Sequence, residues 1–549
     1  MVIHKKISIL ILFISLAGYG QQRVFTHQDT LRGTITKERA WWNLKHYDLK
    51  IQVDIPHKSL AGSNTIRYKV IDENQIMQID LQDPMKITAV KQDGNLLGYT
   101  KDGNVYYISL GKKQHVGSIN EITVYYNGIP KVSKNPPWDD GLTWSKDKNG
   151  IDFIATSCQG GGASIWWPCK DHMYDEPEEG IRFSITAPKH LTSVANGRLK
   201  NAVNNKDNTK TFVWEVVNPI NNYGVNMNIG DYTYFSSTYK GENGNLDCDY
   251  YVLSYNLEKA TKQFKQVDQT LEAFEYWFGP YPFYKDSYKL VEVPYLGMEH
   301  QSSVTYGNGY KNGYRGYDLS GTGWGLKFDF IIVHESGHEW FANSITNIDI
   351  ADMWIHESFT AYSENLFLDY HFGTEASNAY VTGTRKLIQN DKPIIGNYEV
   401  NNAGSGDMYY KGANMLHMLR QIVNDDKKWR SILQGLNTEF YHQTVTTKQI
   451  ENYLSKFIGI DLQPFFDQYL RTVNIPVLEY VIKESSLSYR WTNSLVHFKM
   501  PIKVYIDKQV QWLTPTRFWQ TLPLINSVTA LKVDPNFYIE TKNLTSDSN

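Results

Sequence analysis

The chain has 549 residues, enough for two to four domains with their own cores. A net charge of −3 and a hydrophobic content of 41% describe an ordinary globular chain, with no basic surplus to suggest a nucleic-acid partner. The 38 Tyr and 15 Trp point to extensive β structure and aromatic-lined pockets.

The first twenty residues read as a secretory signal. Lys5 and Lys6 precede an apolar run from Ile7 to Leu16, and small residues Gly18 and Gly20 precede a cut ahead of Gln21. The run is short for a membrane span, and nothing later in the chain approaches eighteen apolar residues. The expectation is an exported protein, periplasmic or secreted, with no membrane span once the signal is removed. An oxidising compartment would permit a disulfide, and Cys158 and Cys169 are one conceivable pair among the three cysteines.

Residues 21–238 read as an all-β domain. His46–Asp54, Asn64–Val70 and Asn120–Tyr126 alternate apolar and polar, and Asp93-Gly94-Asn95 and Asp102-Gly103-Asn104 supply turns. From about 257 the period becomes helical. Leu257–Phe278 predicts one helix ending at Gly279-Pro280, followed by a strand at Tyr288–Val293. Further helices are expected over Lys411–Val423, Thr447–Phe457 and Leu462–Arg471. Residues 239–477 thus form a mainly α domain. Strand signals return in 478–549, as in Leu487–Trp491, His497–Ile506 and Ala530–Val533, and predict a small β-sandwich. The fold class is multi-domain α+β.

The mainly α region holds the most informative segment, His334-Glu335-Ser336-Gly337-His338. Histidines at i and i+4 share one helix face and can close on one metal. Glu357 follows after eighteen intervening residues, and the polar stretch Asn343–Asp352 lets the chain fold back to bring it in. By composition, His-Glu-x-x-His is expected about 0.02 times in such a chain, and about 0.001 times with a Glu at that one offset. Phe328, Phe330, Ile331, Ile332 and Val333 before the motif, and Trp340 and Phe341 after it, mark a buried helix, where unpaired imidazoles would be costly. Two His and one Glu fit one zinc per chain with a coordination position left open, the pattern of a catalytic site. Glu335 is then placed to act as general base towards a water attacking a carbonyl. The oxyanion needs a further donor, for which a tyrosine phenol suffices, although spacing chooses none among so many. Glu364, seven residues after Glu357 on the same helix face, could accept a hydrogen bond from a ligand histidine.

Four segments in order carry a family resemblance: Thr156-Ser-Cys-Gln159 with Trp167-Pro-Cys-Lys-Asp171; Leu296-Gly-Met-Glu-His300; the metal motif; and Tyr409-Tyr-Lys-Gly-Ala413. Together they resemble the gluzincin zinc aminopeptidases, the group of aminopeptidase N and leukotriene hydrolase. The resemblance implies a thermolysin-like catalytic domain and peptide substrates with free N-termini. It makes Glu299 the ligand of the substrate α-amine with help from Gln159, lines the substrate with Gly297 and Met298, and makes Tyr409 the oxyanion donor. Gly160-Gly161-Gly162 beside Gln159 lacks the Lys-Ser/Thr of a phosphate cradle. The chain departs from the family pattern at Leu296, His300, His356 and Ser358, where Gly, Asn, Asn and Gly are usual; none of these removes a ligand or the base. The large helical C-terminal domain of many members is replaced by strands, which predicts a more open site. Two other readings stay in view: a zinc endopeptidase of the same clan, which would not need Glu299 and Gln159, and a non-catalytic peptide-binding relative.

Overall fold

A computed structural model describes residues 24–483, 485–524 and 530–545. The expected signal and the last four residues lie outside them. No helix among the described residues is long and apolar enough to cross a membrane.

The β domain is built on an eight-stranded sheet in the order Arg198–Asn204, Thr209–Val216, Ile181–Pro188, Trp42–Asp54, Ser59–Val70, Ile119–Gly128, Lys86–Gln92, Asn95–Leu96. Only the pairing of Trp42–Asp54 with Ile181–Pro188 is parallel within it. Alternation drives the packing: Leu49, Ile51 and Val53 are buried while Lys50, Gln52 and Asp54 face water. The turn at Asp93-Gly94 takes positive φ at both residues, as a two-residue hairpin requires. A smaller four-stranded sheet contains Asp152–Ser157, and Gln159 lies just past the end of that strand.

The mainly α region opens with a five-stranded sheet ordered Tyr232–Gly241, Gly244–Leu253, Tyr288–Glu292, Val304–Tyr306, Gly297–Met298. Tyr232–Gly241 runs through the boundary expected at 238 and pairs along its whole length with Gly244–Leu253. The single helix expected over 257–278 is two, Leu257–Gln263 and Gln266–Phe278. The later helices are Tyr410–Val423, Thr447–Ile458 and Gln463–Arg471, and Thr374–Gly383 and Asp426–Glu439 are additional.

Among the described residues the C-terminal strands form two sheets of four and three strands. Their buried residues, among them Leu478, Trp491, Val504 and Phe537, join the core of the helical region, whereas the β domain has a core of its own. All three cysteines are free and buried, so the Cys158–Cys169 bridge left open by the sequence is not formed.

Candidate metal centre and substrate cleft

The motif helix runs Phe330–Gly337, with Asp329 capping it through the amides of Ile331 and Ile332. Every residue in it is buried. Each fully buried Ile or Phe contributes about 1.5–3 kcal/mol, which holds the helix against its neighbours. His338 sits one position beyond the last helical residue but keeps right-handed helical dihedrals, so the i, i+4 relation to His334 survives. The second helix, Trp354–Phe372, carries Glu357 in its first turn. Residues 339–353 make the return that the polar stretch predicts.

His334, His338 and Glu357 come together with ligand atoms within 4.8 Å of one another. Glu357 Oε2 is 3.9 Å from His334 Nε2 and 3.4 Å from His338 Nε2. The other ring nitrogens are engaged elsewhere. His334 Nδ1 bonds Glu364 Oε1 at 2.7 Å, the contact expected of Glu364, and Tyr380 donates to Glu364 Oε2 at 2.6 Å. His338 Nδ1 reaches the Phe341 carbonyl at 2.9 Å and Thr360 Oγ1 at 3.0 Å. With both Nδ1 atoms so held, both Nε2 atoms face the shared centre.

The donor set fits a dication. Glu357 Oε2 is a buried carboxylate oxygen without a hydrogen bond, while Glu357 Oε1 accepts one from Gln159 at 2.9 Å. Burial opposes charge on His338, yet Glu357, Glu299 and Glu335 push its pKa up to about 10. The cluster therefore demands positive charge, and two imidazoles with a carboxylate match zinc chemistry.

Glu335 is buried, and burial, opposed by His334 and reinforced by Glu299, raises it to about 7. Glu299, Glu335 and His338 form a second group within 4.8 Å. Gly297 explains how the short strand Gly297–Met298, with Glu299 just past its end, lies so close to the motif helix. A Cβ there would stand 2.8 Å from Ile331 Cγ2 and 3.1 Å from Glu335 Oε1. Met298 lines the same cleft. Gln159 arrives from the β domain, and its Nε2 donates to Glu299 Oε1 at 2.7 Å. Asn343 also donates to the Glu299 carbonyl at 2.8 Å.

Tyr409 precedes the helix Tyr410–Val423 and stacks on His334 with ring centroids 6.0 Å apart. Burial, with Glu357 and Glu299 nearby, pushes its phenol well above the usual range, so the proton stays and the group remains a donor. The nine residues given catalytic, substrate or metal roles in the sequence reading line one cleft of about 420 Å³, with Glu364 behind them.

The departures have local explanations. Ser358 donates to the Met408 carbonyl at 2.7 Å, and Gly412 makes room for it, since a Cβ at 412 would lie 1.9 Å from Ser358 Oγ. His356 accepts from the Asn347 amide at 2.9 Å, and burial holds it neutral, with its pKa lowered to about 3. His300 is fully buried and neutral for the same reason.

The sequence reading missed several lining residues: Pro137, Trp138, Asp140, Tyr314, Phe330 and Tyr410. Asp140 accepts from the amides of Gly160 and Gly161 at 3.1 and 2.8 Å and so shapes the loop behind Gln159. An Asp next to a glycine is a turn signal, but nothing in the sequence ties it to Gln159.

Comparison with known proteins places this geometry. Residues 43–223 match the peptidase M1 N-terminal domain, and residues 255–469 match the peptidase family M1 domain. Aminopeptidase N of Lactobacillus helveticus is 23% identical over 510 residues, covering 86% of this chain and 55% of that protein. Leukotriene A-4 hydrolase of Xenopus laevis is 21% identical over 449 residues, covering 76% of this chain and 68% of that one. This chain therefore spans about half the length of several curated relatives, including 47% of aminopeptidase 2 of Candida albicans. An M1 zinc metallopeptidase of Deinococcus radiodurans shares the fold, with a TM-score of 0.68 and 19% identity over 80% of this chain and 95% of that one. With both M1 domains matched in order, and the two-His, one-Glu cluster lying inside the second, the chain belongs to peptidase family M1.

Proposed function

We propose that this protein is a zinc aminopeptidase that removes N-terminal residues from peptides with free α-amines. The observation that carries the reading is the placement of Glu299 and Gln159 beside the metal ligands: Gln159 Nε2 bridges Glu299 Oε1 and Glu357 Oε1 at 2.7 and 2.9 Å. A carboxylate at a closed end of the cleft is a site for an ammonium group, and an internal peptide segment has no charge to offer it. An endopeptidase would have no use for it.

His334, His338 and Glu357 would hold the zinc, which when bound polarises a carbonyl and acidifies water. Glu335, poised near neutrality, takes the proton of the attacking water and delivers it to the leaving amine. Tyr409 keeps its proton and donates to the developing oxyanion. Glu299 fixes the amine, and with it the scissile carbonyl one residue on. Relatives support the substrate class: curated aminopeptidases match most of the chain, and a mutant of the Deinococcus radiodurans enzyme is described as bound to a Tyr-Ser-Ala substrate. The amino-terminal Lys5-Lys6 and apolar run support export, to the periplasm or beyond.

A panel of aminoacyl-arylamides assayed beside their N-acetylated forms tests this. Cleavage confined to the free-amine forms, and abolished by chelation, is the expected result. Equal cleavage of acetylated substrates would convert the assignment to an endopeptidase.

A further inference from the structure

The outer end of the cleft differs in kind from the inner end. The inner end gathers Glu299, Glu335 and Glu357, and no Lys or Arg is among the described residues that line the cleft. At the rim stands Arg315, exposed, next to the lining residue Tyr314. Among the described residues no carboxylate lies within 4.0 Å of its guanidinium, and its one side-chain partner is the ring of Trp138, 5.7 Å away.

Arg315 is held in place. It adopts a left-handed φ of 52°, uncommon for a residue with a side chain. Its amide donates to Asn308 Oδ1 at 2.7 Å, and Asn308 Nδ2 donates to Asp329 Oδ1 at 2.8 Å. Asp329 is the cap of the motif helix, so the loop is fastened to the element that carries the metal ligands. Tyr314 meets Phe330 edge-on at 5.3 Å, and Phe330 stacks on His334 at 5.0 Å. Trp138 is equally anchored from the β domain, because Asp139 next to it accepts from the Lys134 amide at 2.7 Å and Asp140 holds the Gln159 loop.

These contacts give the cleft a direction and a length. It follows the motif helix: Glu299 sits with His338, Gly297 faces Ile331, and Tyr314 packs on Phe330. From His338 to Phe330 is eight residues, about 12 Å along that helix. Three extended residues span about 10 Å. A peptide with its amine at Glu299 thus brings its third residue to the rim. A guanidinium stacked on an indole keeps its fork of N–H donors free for a carboxylate.

We propose that Arg315 reads the free C-terminal carboxylate of short peptides, with Trp138 as its platform, so that tripeptides are the preferred substrates. This rests on the reading of the site as an aminopeptidase. The Trp138–Arg315 pair joins the two walls of the cleft and meets the end of a tripeptide, whereas a longer chain must pass between them.

The test is kcat/KM for Leu-Gly-Gly against Leu-Gly-Gly-amide at low ionic strength, in the wild type, R315Q and R315K. The wild type should favour the acid about tenfold, through KM. R315Q should bring the ratio to about 1, and R315K should keep part of the preference. A ratio near 1 in the wild type, or a fall in R315Q shared equally by acid and amide, would overturn the proposal. Leucine arylamide separates the two readings: its hydrolysis by the wild type supports the aminopeptidase assignment whatever the acid-to-amide ratio shows, and a failure to cleave it strikes that assignment instead.

Discussion

On the proposed reading the cleft has a metal half and an amine half, and the two are built on different principles. His334, His338 and Glu357 come from two packed helices of one domain, and each imidazole has its second nitrogen bonded to a buried neighbour. Gln159 and Trp138 come from loops of the β domain and meet Glu299 and Arg315 across a seam. Polar contacts cross that seam: Tyr295 donates to the Thr156 carbonyl at 2.7 Å, Asn196 to the Gln301 carbonyl at 2.7 Å, and the Gly197 amide to Ser302 Oγ at 2.9 Å. On that reading chemistry falls to the first half, and substrate selection to the half that two domains must assemble.

The comparison is sharpest where the two halves are damaged separately. Glu335→Gln should cut kcat by about 10³-fold or more while leaving zinc bound, because a neutral amide cannot carry the proton. Zinc content by metal analysis beside the kinetics checks it; loss of metal in this variant would show that Glu335 also holds the site together. Glu299→Ala should act in the other half. It should lower kcat/KM for free-amine substrates by about 10–100-fold, mainly through KM, and narrow the gap to acetylated ones. A pure kcat effect with the gap intact would assign Glu299 to the metal half instead.

Glu364→Gln probes how far the metal half depends on its outer support. The 2.7 Å bond to His334 Nδ1 becomes a neutral one, and zinc affinity should fall about 10–100-fold. Competition with a chelator of known strength reads it. Unchanged affinity would mean that helix packing alone fixes the His334 ring.

The two halves were unequally legible in the sequence for the same reason. The i, i+4 histidines and the apolar residues around them are local, so that pair follows from helix geometry, whereas Glu357 and Glu364 lie on a second helix and also needed the return over 343–352. Gln159 lies 198 residues from Glu357, and only family resemblance connected them; no periodicity could. Trp138, Tyr314 and Arg315 sit on irregular loops whose positions are set by Asp139, Asn308 and Asp329, contacts that no pattern encodes. Elsewhere, alternation located the β strands well. It did not show that the C-terminal strands share their core with the helices, because alternation marks which face is buried but not against what. The split of the helix over 257–278 was hidden because both pieces keep apolar residues at helical spacing.

The seam itself carries the smallest and most specific effect. Lys289, on the strand Tyr288–Glu292, is fully buried and donates across the seam to the Gly197 carbonyl. Burial lowers its pKa from 10.5 to about 8, despite the attraction of Asp249 and Asp286. A base with a depressed folded-state value is neutral in the native protein and protonated in the unfolded chain between those two values. The unfolded state then binds more protons, so stability should rise as pH increases from about 8 to 10.5, and the gain should be lost as pH falls back through 8. Below 8 the native state holds a buried ammonium, at a net cost of roughly 3 kcal/mol relative to an unshifted lysine. Lys289→Met keeps the length of the side chain and removes the charge. Denaturant titrations across pH 7 to 10.5 should show the variant without that slope and at least as stable as the wild type at pH 7. Cleavage of free-amine substrates should be retained, since Lys289 lies outside the cleft. A variant that is destabilised at every pH and loses the free-amine preference would show instead that the buried ammonium bond to Gly197 is what holds the β domain, and Gln159 with it, against the catalytic half.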